Sequence, residues 1–519
     1  MQNVLLMIVL IPVIAALLIL PLKARAHAIT RSIGMLGSLL SALFALAAYI
    51  AFQRSDAAYQ FVLSVPWATI NNAFAGTPLT ITFAFAVDGI SLPLVMLTGI
   101  VSVMAALRSF RVTERVKAHY VWQMLLVSGL YGVFAAADLF TFFFFLEVTL
   151  VASFFLILIF GQERREYAAF KFLIYRGIAS VFLLLGFVGL AYALANSATT
   201  VSASQYMAYG PNFMSLNLLQ LLDESVKAPL ALGAQTWLFF VFLFAVLIEE
   251  AFVPFHTWLI DTHEQSDTST NMLIGGVLMK VGLYIMLRFV VSILPLALAA
   301  YSEWLAILGV ISILYGAFAA IAARDWRRLI AFSGISHMGL VLLAIGSMHA
   351  LGLQGAVFML VSSGLLTALL FYTVGAQAER TGTYEIGKLG GLSKSLPVLS
   401  GVLLVAALGT VGLPGLSGFI SEITLFISSF ERFPVVSTLG TLGMILAALY
   451  LLFAMQRTTF GPAQGAAQEG QGIARDASVT EAIPLLVLVA FVIAIGVFPN
   501  ILGVVVHPTV QALAGRIGG

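Results

Sequence analysis

Apolar residues come in stretches of about twenty positions, divided by short polar or basic breaks. The stretches lie near 3–22, 29–52, 88–107, 120–136, 139–160, 170–195, 235–260, 271–295, 301–322, 329–348, 352–377, 396–428, 438–456 and 482–505. They are not the alternating runs of about ten residues that a transmembrane barrel uses. Hydrocarbon offers no partner to a free backbone amide, so segments of this length cross it as helices. The pattern predicts an all-α polytopic membrane protein with about 14 transmembrane helices.

Composition agrees. Of 519 residues, 61% are hydrophobic and only 9% charged, where a soluble domain carries roughly 25% charged residues. The chain has no cysteine, which excludes disulfides, thiolate-held iron–sulfur clusters and a cysteine nucleophile. A net charge of +2 gives no footprint for nucleic acid. Met1 to Leu20 is apolar and is followed, not preceded, by Lys23 and Arg25, so it reads as a retained first helix and not as a secretory signal.

Charge then orients the chain. Eighteen lysines and arginines fall in loops after odd-numbered helices and four on the other side, while Arg176, Lys280 and Arg288 fall inside helices. The positive-inside rule therefore puts both termini outside the cytoplasm. No loop is long enough for a soluble domain. The largest, 54–86 and 196–234, are expected to be external, and the polar run 461–480 is expected to be a mobile cytoplasmic loop.

Two helices look interrupted. Pro254 sits inside the seventh, and Gly409, Gly412, Pro414, Gly415 and Gly418 inside the twelfth. The breaks are five helices apart, as two inverted five-helix repeats (helices 4–8 and 9–13) would place them. Ion paths in transporters run past such breaks; ordinary proline kinks are the competing explanation. On this reading one membrane domain comprises helices 1–3 (1–119), the first repeat (120–295), the second repeat (301–456), and a cytoplasmic loop with helix 14 (457–519).

Ionisable groups at bilayer depth are costly and mark ion paths by default. The set is short: Glu147 in helix 5, Arg176 in helix 6, Glu249 and Glu250 beside the break in helix 7, Lys280 in helix 8, His337 in helix 10 and Glu422 after the break in helix 12. Burial disfavours the charged form of any such group, so a neighbour's charge can decide whether it holds a proton. A row of them with water between passes protons without covalent chemistry. Blander roles compete: Arg176 and Lys280 snorkelling, Glu422 capping free amides, His337 filling a core hydrogen bond. Arg288 and Asp138 lie near helix ends and suit interfacial or capping roles. His256, Asp261 and His263 could suggest a metal site, but following a break they suit ordering of a loop.

At these residues the chain resembles the antiporter-like membrane subunits of bacterial NADH–quinone oxidoreductase (complex I) and of Mrp-type antiporters. The resemblance runs from about Val87 to Gly461. It is carried by VDGISLPLVMLT (87–98), DLFTFFFFLEVTLV (138–151), VPFHTWLIDTHEQSDT (253–268), GGVLMKVGLYIMLRF (275–289), DWRRLIAFSGISHMGLVLLAIG (325–346) and LPGLSGFISE (413–422). VDGISLPL is most similar to the subunit-M branch, counterpart of mitochondrial subunit 4.

The resemblance implies fourteen helices, with Glu147, Lys280 and Glu422 in the proton path; Glu249, His337 and Arg176 are further candidates from their depth in the helices. It implies that quinone reduction in other subunits is coupled to proton movement here. NADH, flavin, iron–sulfur clusters and quinone would be bound by those subunits, and this chain would carry no cofactor and no metal. Its partners would be the neighbouring antiporter-like subunits and the lipid of a plasma or inner membrane. An Mrp-type antiporter, a hydrogenase-like complex and a structural non-pumping subunit are the alternatives.

Two departures from the family pattern stand out. Glu249 occupies the position of the helix-7 lysine that pairs with the helix-5 glutamate, and Ser363 that of the helix-11 histidine. The first replaces an attractive pair with a repulsive one. Arg176, where relatives carry an uncharged residue, offers itself as the relocated cation.

Overall fold

The computed structural model describes residues 3–54, 58–74, 77–197, 216–462 and 476–517. Much of the run 461–480, with Arg475, and much of 196–234 fall outside these residues. The helices are α1 (Val4–Ile19), α2 (His27–Ala51), α3 (Ser91–Arg108), α4 (Val116–Ala135), α5 (Leu139–Phe160) and α6 (Arg165–Ser197), then α7 in two pieces (Leu232–Glu249 and Thr257–Gln265). After these come α8 (starting at Thr268), α9 (Pro295–Ala322), α10 (Trp326–Ser347), α11 (Ala350–Thr381), α12 in two pieces (Pro397–Thr410 and Ser417–Arg432), α13 (Pro434–Met455), α14 (Val479–Val497) and α15 (Asn500–Arg516). Eleven helices among the described residues are long and apolar enough to cross a membrane. The short α1, the more polar α4 and the broken α12 fill the three remaining places in the predicted order. The fold is the expected polytopic bundle, interrupted at helices 7 and 12.

Both interruptions follow local backbone rules. After Glu249 the chain passes through Ala251 at φ 54° and resumes a helix at Thr257. Between Thr410 and Ser417, Gly412 (φ 82°) and Gly415 (φ 90°) occupy the left-handed region, where a Cβ is strained. Prolines set the helix starts elsewhere. Leu294, Leu396, Phe433 and Phe498 each precede a proline and each leaves the helical region, with ψ between 50° and 68°. This is the steric effect of the proline ring on the residue before it.

Three sequence expectations are corrected here. The run 482–505 is not one helix: Phe498–Pro499 divides it, and α15 packs against α3 and α11. Helix 8 is a third irregular helix, passing from α (Thr268–Gly276) to 3-10 (Leu278–Lys280), α (Val281–Ile285) and π (Met286–Val291). Helix 6 begins at Arg165 and not near 170, so Arg176 lies eleven residues in, about 16 Å at 1.5 Å per residue.

The loop between α2 and α3 also holds structure that the helical pattern did not reveal. It forms an antiparallel hairpin of β1 (Gln60–Phe74) and β2 (Thr77–Val87). Trp67 and Phe83 stack with Phe140 at the start of α5, fastening the hairpin to the bundle.

The bundle is layered. The most apolar stretch of α8 is wholly buried, and those of α10 and α11 nearly so, while α2, α13 and α14 expose most of theirs. The central trio is therefore wrapped by other helices, and the periphery faces lipid.

Candidate proton-path site

The charged side chains collect where the central helices lose their regularity. In the first repeat, Arg176 on α6 forms an ion pair with Glu249, Nη2 to Oε2 at 2.6 Å, with both side chains 1% exposed. The aromatic rings of Phe172 and Trp258 flank the guanidinium, 5.6 and 5.9 Å away. The Trp258 indole is itself fixed by donating to the Ile248 carbonyl at 3.0 Å. Arg176 therefore does not snorkel. Ser180, one turn along the same face of α6, donates to Glu147 Oε1. Glu147 is half-buried and lies within electrostatic reach of Arg176. One guanidinium thus serves two carboxylates.

Glu249 and Glu250 end the first piece of α7 and separate in function. Glu249 turns to α6. Glu250, fully buried, accepts a hydrogen bond from the Leu283 amide of α8 at 3.0 Å and interacts with Lys280. A glycine permits this approach: a Cβ on Gly282 would overlap the side chains of both glutamates. Lys280, 1% exposed, closes the 3-10 segment of α8. Its ammonium lies 3.7 Å from the Met338 sulfur on α10, a weak acceptor, and within electrostatic reach of His337. A buried ammonium with one soft contact depends on nearby carboxylate for its charge.

In the second repeat, His337 is held between two backbone carbonyls, Nδ1 2.7 Å from Ser333 O and Nε2 3.0 Å from Thr410 O. The Thr410 carbonyl ends the first piece of α12, where helix carbonyls lack intrahelical partners. Glu422, on the second piece, brings Oε1 to 3.7 Å from His337 Nε2, and its Oε2 has no hydrogen-bond partner. Its carboxylate lies against Gly412, in the space a Cβ there would fill. Ser363 and Thr367 on α11 line a small cavity with His337 and Glu422. The histidine thus meets a carbonyl of its own helix on one side and, on the other, the Thr410 carbonyl and Glu422 at the break.

Outside this row, Asp88 of the VDGISLPL motif forms a two-pronged ion pair with Arg288, both contacts 2.6 Å. Tyr59 and Tyr284 bond to the same guanidinium at 2.8 and 3.1 Å. Arg288 is therefore buried and paired, not interfacial, because its partner lies 200 residues away in sequence. Asp138 caps α5, accepting from the amides of Phe140 and Thr141. The suspected metal trio has separate partners: His263 contacts Asn271 at 2.7 Å, Asp261 pairs with Lys171 at 2.7 Å, and His256 packs on Tyr315.

Residues 136–447 match the family described as NADH:quinone oxidoreductase/Mrp antiporter, TM. The chain is 34% identical to NAD(P)H-quinone oxidoreductase chain 4 1 of Synechococcus elongatus, over 98% of this chain and 91% of that one. A chain of respiratory complex I from Thermus thermophilus superimposes with a TM-score of 0.84 at 30% identity, over 99% of this chain and all of that one. A chain of the Mrp complex from Dietzia sp. DQ12-45-1b shares the fold, with a TM-score of 0.78 at 20% identity and 99% of each chain covered. With its broken helices and its buried row of acids and bases, the chain belongs to the NADH:quinone oxidoreductase/Mrp antiporter membrane-protein family.

Proposed function

We propose that this chain is the subunit-M (chain 4) type membrane subunit of an NADH–quinone oxidoreductase, and that it translocates protons. Redox chemistry belongs to other subunits, which hold NADH, flavin, iron–sulfur clusters and quinone. The chain sits in the plasma or inner membrane with both termini outside the cytoplasm, beside other antiporter-like subunits.

The observation that carries this reading is the continuity of the row. Glu147, Arg176 and Glu249 on one side of Glu250 and Lys280, and His337 and Glu422 on the other, each lie within electrostatic reach of the next across both repeats, with direct contact at Arg176–Glu249 (2.6 Å) and an approach of 3.7 Å at His337–Glu422. Arginine does not release its proton in a protein, so Arg176 acts as a movable counter-ion. Held by Glu249, it leaves Glu147 free to bind a proton; shifted toward Glu147, it leaves Glu249 free to do so. Glu250 passes the change to Lys280, and Lys280 passes it to His337.

The test is relocation of the charge in the whole complex, reconstituted in vesicles. Arg176→Met should lower proton uptake during quinone reduction, and Arg176→Met combined with Glu249→Lys should restore it. Pumping and assembly unchanged in Arg176→Met would end the counter-ion role. Finding this chain in a complex of antiporter subunits with no redox module would favour the Mrp-type alternative, whose fold it shares.

A further inference from the structure

Behind His337 stands a buried hydroxyl pair that the row does not use. Tyr450 on α13 is 2% exposed, and its hydroxyl donates to Ser333 Oγ at 2.8 Å. Ser333 Oγ in turn lies 3.4 Å from His337 Nδ1. On its other side Tyr450 lines a groove of about 250 Å³ between α9, α10 and α13, with Ala323, Leu329, Phe453, Ala454 and Arg457. Most of its lining is apolar, and Tyr450 and Arg457 are the polar side chains that border it. The groove runs two turns along α13 from Tyr450 to the exposed Arg457, whose guanidinium lies over the Phe453 ring at 4.2 Å. In the proposed orientation this end faces the cytoplasm.

We propose that Tyr450 and Ser333 form a proton port joining the cytoplasmic groove to His337 and Glu422. The inference rests on the proton-translocating reading above. A proton from groove water adds to the Tyr450 oxygen as the phenol gives its own to Ser333 Oγ. Ser333 gives its hydroxyl proton to His337 Nδ1, and the imidazole releases its Nε2 proton to Glu422. One proton enters and one is gained by Glu422. Tyrosine and serine end neutral with their O–H bonds reversed, and rotation of the two hydroxyls resets them; the imidazole ends as the Nδ1–H tautomer, bonded to the Ser333 carbonyl, and returns to the Nε2–H form before the next transfer. No tyrosinate is formed. A packing role alone would need the ring of Tyr450 but not its hydroxyl.

Tyr450→Phe keeps the ring and removes the relay. In the reconstituted complex it should lower the number of protons moved per electron pair. Assembly should be unchanged. Glu422→Gln, measured alongside, separates the two claims: pumping lost in Glu422→Gln but intact in Tyr450→Phe overturns the port alone, and pumping intact in both overturns the translocation reading with it.

The groove has its own test. Because the chain has no cysteine, Ala454→Cys introduces its single thiol. A charged, membrane-impermeant methanethiosulfonate added from the cytoplasmic side should modify it, as it does an Arg457→Cys control. Modification of the control but not of Ala454→Cys would mean that acyl chain, not water, fills the groove, and would overturn the port.

Discussion

The two repeats break a helix at matching places and put different chemistry there. At α7 the break holds a permanent cation against a carboxylate, with a second carboxylate turned toward Lys280. At α12 it holds a histidine and a glutamate, both of which can lose their charge. The first arrangement is locked by electrostatics: removing one member leaves a buried charge with no counter-charge. The second is held by hydrogen bonds to the Ser333 and Thr410 carbonyls and has a cavity beside it. One break thus contains a permanent charge in Arg176, and at the other every ionisable group can be neutral.

That contrast can be broken experimentally. The largest effect is expected at the locked site. Glu249→Gln removes the ion-pair partner of Arg176, leaves Glu147 as the carboxylate within electrostatic reach, and should destabilise the chain by up to about 3–5 kcal/mol, seen as loss of assembled complex in membrane extracts. His337→Gln should leave assembly near normal, and equal assembly in the two variants would remove the distinction between the breaks. Next, Glu147→Gln combined with Lys280→Met should abolish proton movement through this subunit while quinone reduction by the complex can still be assayed; undiminished pumping would identify a structural spacer.

A smaller effect is expected where the first break touches α8. Gly282→Ala pushes a methyl group into Glu249 and Glu250 and should cost about 1–3 kcal/mol, visible as a lower midpoint of thermal inactivation. The smallest is expected at Ser363→Ala, which removes one hydroxyl from the cavity beside Glu422. It should stay within about 0.5 kcal/mol in stability and show itself, if pumping slows, as a changed solvent isotope effect on proton uptake. A stability loss as large as that of Glu249→Gln would mean that the second site is as rigid as the first.

Much of this was legible in the sequence because lipid imposes a simple code. Helix count and the two interruptions follow from run length, proline and glycine. The relocated cation followed from the resemblance together with charge: a glutamate where relatives carry lysine calls for a positive partner, and Arg176, where relatives are uncharged, stood nearby in the helix order. What stayed hidden is non-local or geometric. Nothing in the chain announces that Asp88 and Arg288 meet, or that Ser180 reaches Glu147, although its spacing of four from Arg176 was a usable signal. The hairpin before α3 escaped because helical runs dominated the pattern, and α8 reads as one apolar stretch whether its turns are regular or not.

The irregularity of α8 has a mechanical consequence. A regular helix resists twisting because every turn is fastened to the next. Around Val277, where φ reaches −127°, the fastening changes from four-residue to three-residue bonds, Val277 N to Leu273 O and Lys280 N to Val277 O, both 3.0 Å, and the neighbouring carboxylate of Glu250 has taken hold of the Leu283 amide. The ammonium of Lys280 is therefore carried on a segment gripped from the side as well as along its axis, and the charge on Glu250 bears on the backbone and on the side chain together.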